Sequence, residues 1–321
     1  MCGIVGKVHA DIQNPVDEHI VRSMCDAIVH RGPDEDGFFF EGGAGLGMRR
    51  LQVIDLAGGH QPIENEDGSL RVVFNGEIYN YQQLMQKLRA RGHQLRTASD
   101  TEVIVHLYEE YGVECFALLR GMFAIALWDR RSNELVLARD RLGKKPLFYS
   151  QTSSGMSFSS ELQSLLCDSE IGREIDPTAI DEYLSYLFVP HPRTIYRDVK
   201  KLPPATWAVF SDGQLRMERY WQVEYREEPE KSSLQERVEV LDSLLREAVS
   251  LRLLADVPVG AFLSGGLDSS LVVALMRSVG RQRVRTFSIG FSDSSFDELA
   301  YARQVAQVLD TDHAEYVVDY Q

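Results

Sequence analysis

After Ser233 the chain settles into one repeating rhythm, and that rhythm leaves few folds open. A helical stretch, LQERVEVLDSLLREAVSLRLL, is followed by VPVGAFL, a glycine-rich turn, SLVVALMRSVG, VRTFSIGF, FDELAYARQVAQVL and HAEYVVD. Strand and helix alternate, so successive strands are joined by crossovers that each hold a helix, and they become parallel neighbours in βαβ units. Such sheets are normally covered on both faces, so Val257 to Leu263 reads as a buried apolar strand running into the turn. About three strands precede Gln321, fewer than the roughly five or more usual for a parallel sheet. The expectation is a domain cut off before its sheet is complete.

The earlier part reads differently. From Cys2 to about Phe210 the segments CGIVGKV, GFFFEGG, AGLGMRRLQVID, LRVVFNGEIYN, MFAIALWD, ELVLARD and WAVFSDG are short strands separated by turn residues. Three stretches have helical spacing. In VDEHIVRSMCDAIVHRG, Ile20, Met24, Ile28 and Val29 share a face before Gly32-Pro33. NYQQLMQKLRARG is closed by Gly92, and SDTEVIVHLYEEYG opens with Ser99 as N-cap and Glu102 at the capping-box position. Many strands with a few helices argue for a layered α+β domain. Between the two patterns, RYWQVEYREEPEKSS is charged and carries Pro229, which reads as a linker. The organisation expected is therefore a domain over 1–218, a linker over 219–233 and a second domain over 234–321, in keeping with a length that exceeds one core.

Acidic residues outnumber basic ones 48 to 34, a formal net charge of -14 that repels polyanions. Nucleic acid is thereby set aside as a main ligand. The cysteines, Cys2, Cys25, Cys115 and Cys167, show neither a CxxC pair nor a His/Cys ligand pattern, so no zinc site or disulfide framework is expected from them. The last three read as small buried hydrophobes. The start, MCGIVGKVHADIQN, lacks a basic and apolar leader pattern, and no stretch is long enough to span a bilayer. A cytoplasmic protein without membrane partners is the expectation.

The turn itself is Ser264-Gly265-Gly266-Leu267-Asp268-Ser269-Ser270. A strand, a glycine turn and a helix start aim backbone N–H groups and the positive helix end at one spot, which suits phosphate. Asp268 would repel a bare phosphate, so its presence implies a bridging Mg²⁺. The lysine of a Walker A loop is missing, which argues against ordinary γ-phosphate handling. The heptad resembles the pyrophosphate loop of the ATP pyrophosphatases, which cleave ATP between the α and β phosphates. That resemblance implies that Leu263 and Ile289 bracket the adenosine; Asp297 and Glu298 match the family's next acidic pair, without an assigned role.

Removing Met1 would give Cys2 both a thiol and a free amine, and an α-amino group titrating near pH ~7.7–8.0 can serve as base for that thiol. MCGIVG, HRGPD (30–34), RRLQVID (49–55), FNGEIYN (74–80), SDTEVI (99–104), GMFAIALWD (121–129) and RDRLGKKPLFY (139–149) together resemble the class II glutamine amidotransferases. Their order is similar to that in the glutamine-hydrolysing asparagine synthetase family, whose second domain carries SGGLDSS. The resemblance implies an N-terminal nucleophile hydrolase fold, an αββα arrangement, followed by the beginning of an α/β ATP pyrophosphatase domain.

It also implies site roles. Cys2 attacks the glutamine amide, and Asn75 and Gly76 stabilise the oxyanion. Arg50 holds the α-carboxylate, Asp100 with Glu77 nearby holds the ammonium, and Leu51, Gln52, Val53 and Ile54 line the pocket. Read without the resemblance, Arg49-Arg50 could be a solvated pair, Asn75-Gly76 a turn, and Asp100 a cap beside Ser99. HRGPD and RLGKKPLFY read as turns that shape the pocket. The implied substrates are glutamine, MgATP and aspartate, giving glutamate, AMP, pyrophosphate and asparagine; the full-length family often forms homodimers. Two alternatives stand beside this: an acceptor that is a sugar or cell-surface precursor, and a chain that is a glutaminase with a non-catalytic ATP-binding remnant.

Overall fold

The computed structural model describes residues 2–225, 232–280, 282–293 and 297–319. Two compact units divide the chain, Met1–Glu224 and Tyr225–Gln321. Part of the expected linker (226–231), the start of the helix expected at Phe296, and Met1 lie outside the described residues.

The first unit holds β1 (Gly3–His9), β2 (Glu35–Glu41), β3 (Ala44–Arg50), β4 (Ile63–Glu64), β5 (Leu70–Ile78), β6 (Gly121–Asp129), β7 (Glu134–Arg139), β8 (Phe148–Gln151), β9 (Gly155–Ser159), β10 (Lys200–Lys201), β11 (Thr206–Ser211) and β12 (Gln214–Arg219). They make two six-stranded antiparallel sheets, ordered β10-β8-β9-β1-β3-β2 and β12-β11-β7-β6-β5-β4. Its helices are α1 (Glu18–Asp26), α2 (Tyr81–Ala90), α3 (Glu102–Tyr111), α4 (Leu162–Leu165) and α5 (Pro177–Tyr186).

Side chains that alternate along a strand fall into different cores. Val73, Ala124, Ala126 and Leu137 meet Ile4, Val8, Leu46 and Met48 between the sheets. Their neighbours Val72, Phe74, Ile125 and Val136 pack outward against Leu84 and Leu88 of α2 and Val103 and Leu107 of α3. On the far side, Val5 packs against Val21, Met24 and Cys25 of α1. The layers are therefore helix, sheet, sheet, helix. Full burial of an aromatic such as Trp128, Phe158 or Phe210 in the inter-sheet core contributes roughly 1.5–3 kcal/mol each.

Several local expectations change. The first helix ends at Asp26, so Ile28 and Val29 leave its face, and Val29 is exposed at the start of a 3-10 turn. The strand expected through Asp55 ends at Arg50, because the Arg50 guanidinium binds the carbonyls of Ile54 and Asp55 and folds the chain back. The capping box at Ser99 does not form. Thr101 is the N-cap, and Glu102 instead accepts from the backbone N–H groups of Arg96 and Thr97, tying down the preceding segment. Asn75-Gly76 is no turn but lies inside β5. Cys167 is exposed, whereas Cys25 and Cys115 are buried. Residues 219–224 pack on the first unit: Tyr220 donates its hydroxyl to the Arg139 carbonyl, and Arg141 lies over the Trp221 ring.

The second unit contains α6 (Leu234–Arg252), β13 (Gly260–Phe262), α7 (Leu267–Val279), β14 (Arg285–Phe291), α8 (Leu299–Val308) and β15 (Asp312–Val318). The strands form one parallel sheet in the order β13-β14-β15. A capping box between Ser233 and Glu236 starts α6. Leu263, Val273, Met276, Ala302 and Ala306 form a small core on one sheet face. The reading of 257–263 as a buried run is corrected: only Leu263 is buried, and Phe262 is 78% exposed. Phe287, Ile289 and Tyr316 are exposed on the neighbouring strands.

Candidate active site

Cys2 enters the site through β1. Gly3 pairs with Arg49, so the residue before β1 lies beside the end of β3, and Cys2 Sγ sits 3.3 Å from the Leu51 amide nitrogen. Burial pushes the Cys2 thiol up, opposed by the Leu51 N–H. A thiol so placed must give up its proton as it attacks, so it needs an adjacent base.

Around it lies a small cavity lined by Cys2, Arg50, Leu51, Val53, Ile54, Gln61, Phe74, Gly76, Glu77, Ser99, Asp100 and Thr101. Its free volume is about 30 Å³, close to the room one water needs. Gln52 is not among the lining residues; its N–H donates to Asp34 at 2.9 Å. Arg50 is 3% exposed, and its guanidinium reaches Glu35 at 3.2 Å, the Ile54 carbonyl at 3.1 Å and the Asp55 carbonyl at 2.7 Å. That excludes the solvated-pair reading. Glu35 is buried in part, but hydrogen bonds from His60 and Arg50 hold it below the usual carboxylate range.

The edge of β5 supplies the donors. Phe123, opposite Gly76, spends its own N–H and carbonyl on Asp140, which leaves Gly76 facing away from β6. The N–H groups of Phe74, Gly76 and Ile78 therefore point to the same edge. Those of Phe74 and Ile78 are taken by Gln61 at 2.7 Å and Asp100 at 2.8 Å, with Gly76 between them. A Cβ at position 76 would meet the Met122 carbonyl at 2.2 Å, so glycine is required where β5 and β6 approach.

Asn75 points to the other side, the inter-sheet side it shares with Val73 and Ala124, where Cys2 also packs. It is 1% exposed, and neither polar atom of its side-chain amide has a hydrogen-bond partner. A buried unsatisfied amide costs about 1–3 kcal/mol. Such a group is suited to a ligand atom that arrives during reaction.

Glu77 and Asp100 line the cavity together. Burial and the Asp100 charge push Glu77 up to about 8, with Lys145 opposing. Burial pushes Asp100 up to about 7, opposed by the Ile78 N–H and by Arg50. Two adjacent carboxylates, Asp100 buried and Glu77 half-buried, both with raised affinity for protons, are suited to receive an ammonium.

Two residues that sequence reasoning left in structural turns also reach the site. Arg31, in HRGPD, donates from Nε to the Cys2 carbonyl at 2.9 Å and from Nη1 to Glu161 at 2.9 Å. Lys145, in RLGKKPLFY, is buried, which lowers its affinity for a proton, while the nearby Glu77 and Cys2 raise it. The pocket-shaping reading holds for Asp140, whose carboxylate collects the N–H groups of Phe123, Leu142, Lys144 and Lys145.

In the second unit a cleft of about 300 Å³ is lined by Phe262, Leu263, Ser264, Ser269, Phe287, Ser288, Ile289, Glu298, Leu299 and Ala302. The sequence expectation thus brings Leu263, Ser264, Ser269 and Ile289 together. Gly265 has φ +83°, and a Cβ there would meet the Tyr301 backbone at 2.5 Å, so the turn needs glycine. Gly266 is the N-cap of α7, and Asp268 sits exposed in its first turn. Ser264 Oγ lies 2.9 Å from Ser269 Oγ and accepts from the Gly266 N–H at 3.3 Å, while the buried Ser270 hydroxyl has no partner. The turn lies at the start of α7, where helix N–H groups suit an anion, with one carboxylate beside it able to hold a hard cation.

A thiol held at the second position between two packed antiparallel sheets, with helices outside, is the architecture of the N-terminal nucleophile amidotransferases. Residues 1–221 match the glutamine amidotransferase domain family, and the chain belongs to it. Residues 240–321 match the asparagine synthase family. Similar curated proteins include asparagine synthetase [glutamine-hydrolyzing] 1 of Bacillus subtilis, 37% identical over 99% of this chain and 50% of that protein. Another is asparagine synthetase [glutamine-hydrolyzing] 2 of Arabidopsis thaliana, 35% identical over 98% of this chain and 50% of that protein. The chain spans about half the length of these relatives. Among solved structures, glutamine phosphoribosylpyrophosphate amidotransferase from B. subtilis aligns at a TM-score of 0.52 and 16% identity, covering 98% of this chain and 65% of that one. The likeness to that structure is one of fold.

Proposed function

We propose that the first unit hydrolyses glutamine through Cys2 and that the whole protein uses the ammonia to convert aspartate to asparagine at the expense of ATP. The observation that carries this reading is one cavity lined by Cys2, Gly76, Glu77 and Asp100, with the buried, unpaired amide of Asn75 next along β5. With Met1 removed, the α-amine of Cys2 takes the thiol proton as sulfur attacks the amide carbon. Asn75 Nδ2 and the Gly76 N–H hold the resulting oxyanion. The amine proton passes to the leaving nitrogen, ammonia departs, and a γ-glutamyl thioester remains. Water then cleaves the thioester to glutamate and restores the thiol. Asp100 and Glu77 hold the substrate ammonium, and Arg50 faces its carboxylate.

For the second unit, the turn 264–270 holds pyrophosphate oxygens with its N–H and hydroxyl donors, and Leu263 and Ile289 flank the adenine. Asp268 would hold Mg²⁺, which supplies charge neutralisation to the phosphates when bound. Aspartate is favoured over a sugar acceptor by the match of residues 240–321 to the asparagine synthase family.

The test is one reaction of the full-length protein with amide-¹⁵N glutamine, MgATP and aspartate, read by mass spectrometry. Equal yields of glutamate, pyrophosphate and ¹⁵N-asparagine are expected. Glutamate without ¹⁵N-asparagine would overturn the acceptor, and absence of glutamate the whole reading.

A further inference from the structure

We propose that Glu66, His93, His106 and Glu109 bind one divalent transition-metal ion, of the zinc class, on the helical side of the second sheet. None of the four lines the cavity at Cys2. They come from three places in the chain: the turn between β4 and β5, the segment after α2, and one face of α3, where His106 and Glu109 are three residues apart.

The spacing is the first argument. His106 Nδ1 lies 3.2 Å from a Glu66 oxygen and 3.5 Å from Glu109 Oε2. His93 Nδ1 lies 3.5 Å from the other Glu66 oxygen, Oε1, and 3.8 Å from the same Glu109 Oε2. Zinc bonds of ~2.0–2.1 Å in a tetrahedron set the ligand atoms ~3.3–3.4 Å apart. Most of these contacts are too long for good hydrogen bonds, whose N–H···O distances run ~2.7–3.2 Å. One ligand atom from each residue falls within 4.8 Å of the others, near enough for small side-chain shifts to bring all four onto one ion.

The second argument is unmet valence. His106 is fully buried, yet neither ring nitrogen makes a hydrogen bond, and Glu109 Oε2 is buried without one as well. The other oxygen of Glu109 accepts from Asn65 Nδ2 at 3.0 Å, which turns Oε2 toward the histidines.

An outer shell is the third. His93 Nε2 lies 3.1 Å from Glu110, and His106 Nε2 lies 3.6 Å from Glu102. Glu102 is itself held by the Arg96 and Thr97 N–H groups and the Thr97 hydroxyl, each at 2.7 Å. The Glu110 carboxylate behind His93 fixes that ring's tautomer and raises its basicity toward a metal, while Glu102 stands too far from His106 for a good hydrogen bond. Two imidazoles with two carboxylates favour zinc over magnesium or calcium, which prefer all-oxygen shells. Four protein ligands leave no open position, so the ion is structural, clamping the segment around residues 93–97 to α3. The cysteine spacings gave no sign of zinc because the cluster contains no cysteine. The competing arrangement is a protonated His106 that serves as the cation among the carboxylates.

The test titrates the chelator-stripped full chain with Co²⁺ and then Zn²⁺, read by visible ligand-field absorption and calorimetry. One equivalent of Co²⁺ with the strong absorption of a tetrahedral site, displaced by Zn²⁺, is expected. His93→Gln and Glu66→Gln, at the more accessible positions, should each weaken binding by ~100-fold or more, beyond the ~10–100-fold expected for the outer-shell Glu110→Gln. Cys2→Ala and Cys167→Ser should leave binding unchanged. The proposal fails if the wild-type chain binds no ion, if both ligand substitutions retain it, or if binding is lost with either cysteine.

Discussion

Cys2 and Leu51 touch twice: the Leu51 N–H approaches Sγ at 3.3 Å, and Sγ lies 3.5 Å from the Leu51 carbonyl. The Cys2 thiol, proposed as the nucleophile, is thus fixed by backbone at the end of the β1–β3 ladder. Its orientation costs the reaction little, since the entropy is lost on folding.

Replacing the sulfur should therefore remove chemistry and spare structure. Cys2→Ala should lower glutamine hydrolysis by about 10³-fold or more, which is roughly 4 kcal/mol of barrier at 1.36 kcal/mol per decade. The thermal midpoint should stay close to that of the wild type. Measurable wild-type turnover in Cys2→Ala would remove the cysteine from the mechanism.

Asn75 is expected to act on the barrier rather than on binding. Asn75→Ala should lower kcat by ~10²–10³ with little change in KM. Because the amide is unsatisfied in the folded chain, the same change should not destabilise the domain as loss of a hydrogen-bonded buried amide would. Steady-state kinetics and a chemical melt on one preparation check both halves.

The raised Glu77–Asp100 pair sets two pH dependences of known sign. The pair must lose its proton to hold an ammonium, so KM for glutamine should fall as pH rises through about 7–8. Both carboxyls also bind protons more tightly folded than unfolded. Their contribution to stability is fully present below the unfolded carboxylate range near ~4 and is lost as pH rises through about 7–8. Asp100→Asn should flatten the stability slope and raise KM by ~10–100-fold, as expected for loss of a charge-assisted hydrogen bond of ~1.5–3 kcal/mol. An unchanged pH profile in this variant would exclude the pair as the titrating unit.

Arg31 holds the Cys2 carbonyl and is expected to position the thiol through it. Arg31→Ala should lower kcat by ~10–100-fold through displacement of the thiol, and Arg31→Lys should recover part of it. Loss of activity in proportion to loss of folded protein, without rescue, would assign Arg31 to stability alone.

In the second unit, Gly265→Ala places a side chain at φ +83° and against the Tyr301 backbone. The strained conformation alone costs about 1–3 kcal/mol. Binding of a fluorescent ATP analogue by the full-length protein should fall by at least ~10-fold, while glutamine hydrolysis persists.

The sequence made most of this architecture legible, and its failures have physical causes. Short apolar runs between turn residues marked the central strands, and the runs are nearly continuous because each face joins a different core, as Val72 and Val73 do. Arg50, Asp100 and Glu77 were legible only through the resemblance of their motifs to the family; taken alone, Arg49-Arg50 reads equally as a solvated pair and Asp100 as a cap. Asn75-Gly76 has the composition of a turn, and only the close approach of β6 explains a glycine in mid-strand. Ser99 and Glu102 have capping-box spacing, but Glu102 was claimed by the backbone of residues 96 and 97, a choice made by tertiary packing. Arg31 and Lys145 were hidden because their reach to Cys2 depends on sheet pairing across more than a hundred residues in the second case. The Glu66–His93–His106–Glu109 cluster was invisible for the same reason, apart from the helical spacing of its last two members.

The alternation along β5 has one more consequence. Asn75 faces the space between the sheets while Gly76 offers its N–H at the strand edge, so the two proposed oxyanion donors come from adjacent residues through different parts of the chain. A slip of one residue in the pairing of β5 with β6 would turn the amide toward the helices and put Phe74 or Gly76 in its place. Activity in this protein is consequently a report on strand register. A population that has collapsed with near-native secondary structure but misaligned central strands would carry every residue of the site and assemble none of it.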